Sequence, residues 1–259
     1  MSRVVIAGQE RFLGACKRDD FDPRDLVMKV PAPSLNEFSL RPDWKLKIRN
    51  QGQRGTCTAN GTLEAAGYLY VREDKPDPEG ARLFLYWITR VLIEGTAATD
   101  DSGCQIRDVL RALRQYGCCP ESLLPYSDDD VAFTLKPSDA CFVAAELHKA
   151  LFFYRCPDLA SIKASIAQKF PVIMGFSVPD NFMSDECAAT GRMKMPTKTE
   201  GFNGGHCMVY AQFSDVLGEL SGPNSWGEDW GDKGWFHQPY GFVEQGLVHD
   251  CWSLRKVQE

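Results

Sequence analysis

The chain has 259 residues, 44% of them hydrophobic and 25% charged, and a formal net charge of −6. That length buries a sizeable core, and the composition is ordinary for a folded globular protein. A mildly acidic balance without a Lys/Arg-rich block argues against a nucleic-acid partner, and no apolar run approaches the roughly 18–20 residues of a membrane span.

Residues 1–45 read as irregular. Pro23, Pro31, Pro33 and Pro42 break any periodicity, and KRDDFDPRD offers nothing to fill a core. Residues 1–40 are expected to be a surface arm, with the intact chain active and the folded domain running from 41 to 259. The opening MSRVVIAG lacks the roughly 7–15 apolar residues of a secretory signal, so a reducing cytosol is the expected compartment. Ten cysteines (16, 57, 104, 118, 119, 141, 156, 187, 207 and 251) include no pair at zinc-knuckle spacing. Most are expected to be buried thiols, with no metal site and no cofactor.

Helical periodicity dominates the next part. Residues 57–71 follow the turn-rich NQGQRGT and place Leu63, Ala66 and Tyr70 on one face. Residues 81–94 end at Gly95, and 104–116 end at Gly117 with Ile106, Val109, Leu110 and Leu113 at helical spacing. One more helix is predicted at about 158–169, with Asp158 as its N-cap. The acidic strings at 100–101 and 128–130 lack alternating ligand spacing and read as solvated loops. Asn60–Gly61–Thr62 matches a glycosylation acceptor but lies inside the first helix.

The second half changes character. Short β-branched and aromatic runs at 172–178, 207–213, 234–238 and 251–256 alternate with Gly, Pro and Asn turns. Helices first and strands later predict an α+β arrangement of two lobes with a cleft between them: a helical lobe over roughly 41–125 and a β-rich lobe over roughly 126–259. Residues 179–205 are polar and turn-rich. They are expected to form a long surface loop beside the substrate, presenting Phe182, Met183, Met193 and Met195.

The segment IRNQGQRGTCTANGTLEAA carries the chemistry. A glycine-rich turn delivers Cys57 to the first turn of a helix, where unpaired N–H groups favour thiolate over thiol. A thiolate nucleophile also needs a base. Of His148, His206, His237 and His249, only His206 leads straight into a strand after a glycine pair. The remaining three read as packing or surface histidines. Eighteen residues beyond His206, PNSWGEDWGDKGWF supplies Asn224, an amide able to hold the imidazole in one tautomer.

These motifs resemble those of the papain-like cysteine peptidases. NQGQRGTC is similar to the nucleophile motif, GGH to the histidine motif and NSWGEDWGDKGW to the asparagine motif. The histidine follows the cysteine at the family's separation of roughly 130–150 residues. LFLYWITR, DSGCQIRDVLRAL and GCCPESLLPY are similar to a branch common in bacteria and some viruses. The resemblance implies a papain-like two-lobe fold and a thiol peptidase acting on a peptide or protein substrate. It makes Cys57 the nucleophile, His206 the general base and acid, Asn224 the orienting residue and Gln51 an oxyanion donor. Gly204, Gly205 and Trp226 become substrate-facing residues, with Trp226 covering the Asn–His hydrogen bond. Acyl transfer or amide and isopeptide cleavage by the same triad, or a silent binding module, are the alternatives. Two departures stand out. Arg54 replaces a cysteine that forms a disulfide in many animal and plant members, and Thr56 and Thr58 replace the usual Ser and Trp.

Overall fold

The computed structural model describes residues 2–6, 8–13 and 15–257. The chain begins with β1 (Ser2–Ile6) and β2 (Gln9–Leu13), an antiparallel hairpin that pairs Val4 with Arg11. β3 (Cys16–Lys17) and β4 (Glu37–Ser39) follow. Next come α1 (Cys57–Val71), α2 (Arg82–Ile88) with a π turn over Thr89–Ile93, β5 (Cys104–Gln105) and α3 (Ile106–Tyr116). α4 (Asp139–Ala145), β6 (Ala150–Arg155), α5 (Leu159–Ala167) and β7 (Val172–Pro179) lead into the second half. It continues through α6 (Asp185–Thr190), β8 (Phe202–Tyr210), β9 (Gln212–Ser214), β10 (Glu219–Pro223), β11 (Trp235–Pro239), α7 (Gly241–Glu244) and β12 (Val248–Val257).

Local chemistry accounts for the main elements. α1 is buried at every position from Cys57 to Leu69, so it is enclosed on all sides rather than striped, and its buried Glu64 has partners within the fold in Arg49 and Trp44. Gly61 lets it approach the sheet, since a Cβ there would stand 3.0 Å from Cys207 Sγ. α3 is amphipathic and stops at Gly117, whose positive φ and contact with the Ala145 carbonyl exclude any side chain. α5 opens with a capping box, Ser161 N–H donating to Asp158 at 2.8 Å.

Two antiparallel four-stranded sheets form the β lobe, in the orders β6-β12-β7-β8 and β11-β10-β9-β4. α1, α2 and α3 share one apolar core and the two sheets share another. α1 lies across β8, and this junction places the nucleophile motif beside the histidine motif. Among the described residues no helix is long and apolar enough to cross a membrane.

Three sequence expectations are corrected. The first forty residues are not an irregular outer arm: they contain the β1–β2 hairpin, β3 runs parallel to β5, and β4 joins the second sheet beside β9. Nor is KRDDFDPRD a solvated piece throughout, because the Asp19 side chain is fully buried and accepts the Trp252 indole N–H at 2.7 Å. Residues 179–205 are no open loop: a 3-10 turn at Asp180–Met183 and α6 organise them, and Phe182 and Met193 point into the core. Phe182 turns inward because it fills a pocket between Phe176, Trp226 and Trp230, with ring centroids 5.3 to 5.7 Å apart.

Candidate active site

The turn before α1 is held from below. A Cβ on Gly52 would collide with the Asp128 carboxylate, so this position at φ +54° takes only glycine. Buried Arg54 donates to the Asp128 carbonyl at 2.8 Å and to Asp130 at 2.6 Å, and it lies 3.5 Å from Asp101. Asp101 in turn accepts the Gly55 N–H at 3.1 Å and the Tyr86 hydroxyl at 2.6 Å. The acidic strings at 100–101 and 128–130, expected to be solvated, thus clamp the nucleophile turn. At the position where the resemblance implies a disulfide cysteine, this chain has Arg54 tied to the carboxylates of Asp101 and Asp130.

Cys57 is the first residue of α1, and this helix packs so closely on β8 that a Cβ on Gly61 would stand 3.0 Å from the Cys207 sulfur. Cys207 follows His206 directly on β8, which brings these two distant motifs together. His206 Nε2 lies 2.8 Å from Asn224 Oδ1. The Ser225 backbone N–H also donates to Asn224 Oδ1, at 2.8 Å. An atom accepting from a backbone N–H is the oxygen, so His206 Nε2 carries the proton and donates to it. Nδ1 is left as a lone pair and has no hydrogen-bond partner among the described residues. The Trp226 ring lies over the imidazole, centroids 4.9 Å apart and planes 31° apart. It shields the His–Asn hydrogen bond from water.

Gln51 is fully buried. Its Oε1 accepts the Ser225 hydroxyl at 2.6 Å, and its Nε2 donates to the Arg54 carbonyl at 2.8 Å. An amide nitrogen carries two protons, so the Arg54 carbonyl takes one and the second is left for a developing oxyanion. Ser225 therefore orients both amides, a role the sequence reading missed. Its only sequence signal was its place inside the NSWG motif.

The site is covered. Residues 9–13 and 15–17 pass between the lobes, and Cys57 is 1% and His206 0% exposed. The Ala15 carbonyl accepts the Cys104 N–H at 3.0 Å, and a Cβ on Gly205 would stand 2.1 Å from the Cys16 carbonyl oxygen. Gly204, at φ +81°, and Gly205 thus admit a backbone as close as a bound peptide would come. Leu13 is buried among apolar residues of the β lobe. Arg11 lies against Trp226.

Burial under this cover sets the protonation states. It pushes the Cys57 thiol well above its ordinary value, reinforced by Cys16 and opposed by the Cys207 N–H. It lowers His206 to about 4, against a raising contribution from Asn224 and a lowering one from Arg11. The covered pair is therefore neutral thiol and neutral imidazole, not the thiolate–imidazolium pair of an open thiol peptidase.

The other histidines are tied elsewhere. His237 lies 3.0 Å from Ser221 Oγ, His249 2.9 Å from Asp250, and His148 3.4 Å from the Tyr70 hydroxyl. Asn60 is buried within α1 and donates to the Thr56 carbonyl at 2.9 Å, so no glycan fits there. All ten cysteines are buried. Among the described residues, no group of three or more His, Cys, Asp or Glu side chains is arranged to hold a metal ion.

No family model matches the chain. It is 28% identical over 268 residues to the uncharacterized peptidase C1-like protein L477 of Acanthamoeba polyphaga mimivirus, covering 92% of this chain and 85% of that protein. Its structure is similar to that of xylellain, a cysteine protease from Xylella fastidiosa, with a TM-score of 0.86 and 28% identity over 100% of this chain and 99% of that one. Digestive procathepsin L2 of the Tenebrio molitor larval midgut shares the fold, with a TM-score of 0.73 and 17% identity over 93% of this chain and 77% of that one. By its fold, its cysteine, histidine and asparagine motifs and these likenesses, the chain is a papain-like cysteine peptidase.

Proposed function

We propose that the chain hydrolyses peptide bonds through a thioester on Cys57, and that the segment carrying residues 9–13 and 15–17 keeps it latent until these residues leave the cleft. The observation that carries the reading is the tautomer of His206. With Nε2–H donating to Asn224, the lone pair of Nδ1 is free to take the Cys57 proton. The sulfur then attacks the scissile carbonyl. The oxyanion accepts the Cys57 backbone N–H and the second proton of Gln51 Nε2, donors of a kind worth several kcal/mol in the transition state. Protonated His206 passes its proton to the departing amine, and the thioester forms. Water, deprotonated by His206, then attacks the acyl carbon and regenerates the thiol.

Latency follows from the cover. Substrate needs the space that the backbone at Ala15 and Cys16 fills, and burial holds both reacting groups in their neutral forms. A reducing compartment fits ten buried thiols and an arginine in place of a disulfide. The test uses the chain with a protease recognition sequence placed in the exposed stretch 31–35 and cleaved after folding. An active-site-directed epoxide should then alkylate Cys57, as located by mass spectrometry, and a peptide library should be hydrolysed. The intact chain should react far more slowly. No adduct on Cys57 after cleavage refutes the nucleophile, and equal rates before and after cleavage refute the latency.

A further inference from the structure

We infer that the leaving-group side of the cleft holds a site for an arginine side chain of the substrate, built from Asn50 and Trp226 and filled here by Arg11. This rests on the peptidase reading above. His206 hands its proton to the departing amine, so whatever follows the scissile bond lies on the His206 side of Cys57. Trp226 stands on that side, with its ring over the imidazole.

Arg11 shows what this place accepts. Its Nη1 donates to Asn50 Oδ1 at 2.8 Å and its Nη2 to the Trp226 carbonyl at 3.1 Å, while its guanidinium carbon sits 5.7 Å from the Trp226 ring centroid. Nη2 also donates to Gln9 of the cover itself. The residue is 4% exposed. A long cation is seldom buried this far without acceptors arranged for it. Here the two cleft acceptors come from separate parts of the chain, the nucleophile turn and the asparagine motif, which an isolated bridge between Asn50 and Trp226 joins.

The geometry is that of a planar fork. Two terminal nitrogens reach two oxygens while the guanidinium lies near the indole, an arrangement suited to arginine and beyond the single nitrogen of lysine. A glutamate in the same place would set its carboxylate against the Asn50 and Trp226 oxygens. The order of preference is therefore arginine, then lysine, then neutral residues, then acidic ones. Arg11 belongs to a segment and not to a substrate, but the acceptors belong to the enzyme and remain when the segment leaves.

The experiment uses the chain cleaved in stretch 31–35 after folding. Peptides identical except for Arg, Lys, Ala or Glu at each of the first three positions after the scissile bond are compared by kcat/KM. At one of these positions, arginine should exceed alanine about tenfold, the size expected of a charge-assisted hydrogen bond with a cation–π contact, and exceed glutamate by more. Asn50→Leu should reduce the arginine advantage to about threefold or less. As a second readout independent of that variant, a synthetic peptide of residues 9–17 should protect Cys57 from the epoxide about tenfold better than the same peptide with Arg11→Ala. A flat profile at all three positions, or equal protection by the two peptides, overturns the inference while Cys57 still labels. Loss of Cys57 labelling overturns the peptidase reading and this inference with it.

Discussion

The Ser225 hydroxyl donates to Gln51 Oε1 at 2.6 Å, joining residues 174 positions apart, while the Ser225 backbone N–H holds Asn224 Oδ1. One residue thereby sets the direction of both amides: the one that orients His206 and the one that faces the oxyanion. Replacing Ser225 with Ala keeps the backbone donor and frees Gln51. In the enzyme released from its cover, kcat should fall about tenfold with KM little changed, a fraction of the loss seen when an oxyanion donor is removed outright. Asn224→Ala should cost more than that, yet less than Cys57→Ala or His206→Ala, because it loosens the imidazole without removing a reacting group. Steady-state kinetics on one peptide ranks all four.

Gly205 is where cover and substrate compete. Because a Cβ there would stand 2.1 Å from the Cys16 carbonyl oxygen, Gly205→Ala should unseat the segment. Epoxide labelling of Cys57 in the intact chain should quicken about tenfold or more. Peptide hydrolysis by the cleaved enzyme should slow, since a substrate backbone meets the same methyl group. If labelling in the intact chain does not change, the Cys16 contact does not hold the cover.

Two buried groups give the cover opposing pH dependences. His206 is held at about 4 by burial and should return toward 6.5 when uncovered. Between those values the uncovered form binds a proton that the covered form lacks. The covered state is thus held fully above pH 6.5 and weakens as pH falls toward 4, by at most about 3 kcal/mol. Asp19 has the other sign. Burial and the neighbouring Asp250 raise it to about 7, against the Trp252 and Arg107 contacts. Here the covered form binds the extra proton, so this contribution is present in acid and is lost as pH rises through about 7. In the natural chain the two offset each other. Asp19→Asn removes one, and proteolytic susceptibility of residues 9–17 should then rise more steeply from pH 7 to pH 4.5. A profile identical to the natural chain's would contradict the assignment.

Arg54 ties the nucleophile turn to three aspartates, of which Asp130 is largely exposed and Asp101 mostly buried. Arg54→Ala leaves Asp101 without this partner and should destabilise the chain by about 3 kcal/mol. At roughly 2–4 °C per kcal/mol for a chain of this size, calorimetry should show a clear drop in Tm. Arg54→Lys should recover only part of it, because one nitrogen cannot serve Asp101, Asp130 and the Asp128 carbonyl together.

Much of the fold was legible because its signals are local. The helix at 57–71 matches α1, Asp158 is the N-cap of α5, and the strand at 172–178 lies within β7. The candidate residues were legible for a different reason. Cys57 needs a helix start, His206 a strand and Asn224 a turn, and each requirement fixes neighbouring residue types in a short stretch of sequence. α6 and the hairpin β1–β2 escaped notice because each element is only five or six residues long, too short to show a period. Phe182 is buried only because Phe176, Trp226 and Trp230 converge around it.

The sequence by itself singled out Cys57, His206, Asn224 and Gln51 through the local patterns around them, and it set their chemical types. Tertiary structure alone decided their state. The closeness of the Cys16 carbonyl to Gly205, the stacking of Trp226 on His206 and the full burial of Cys57 arise from segments that no local pattern connects. Burial, more than any single neighbour, moves the thiol up and the imidazole down. The cost of desolvating a charge depends on everything packed around it, and so it is a property of the assembled fold and not of a motif.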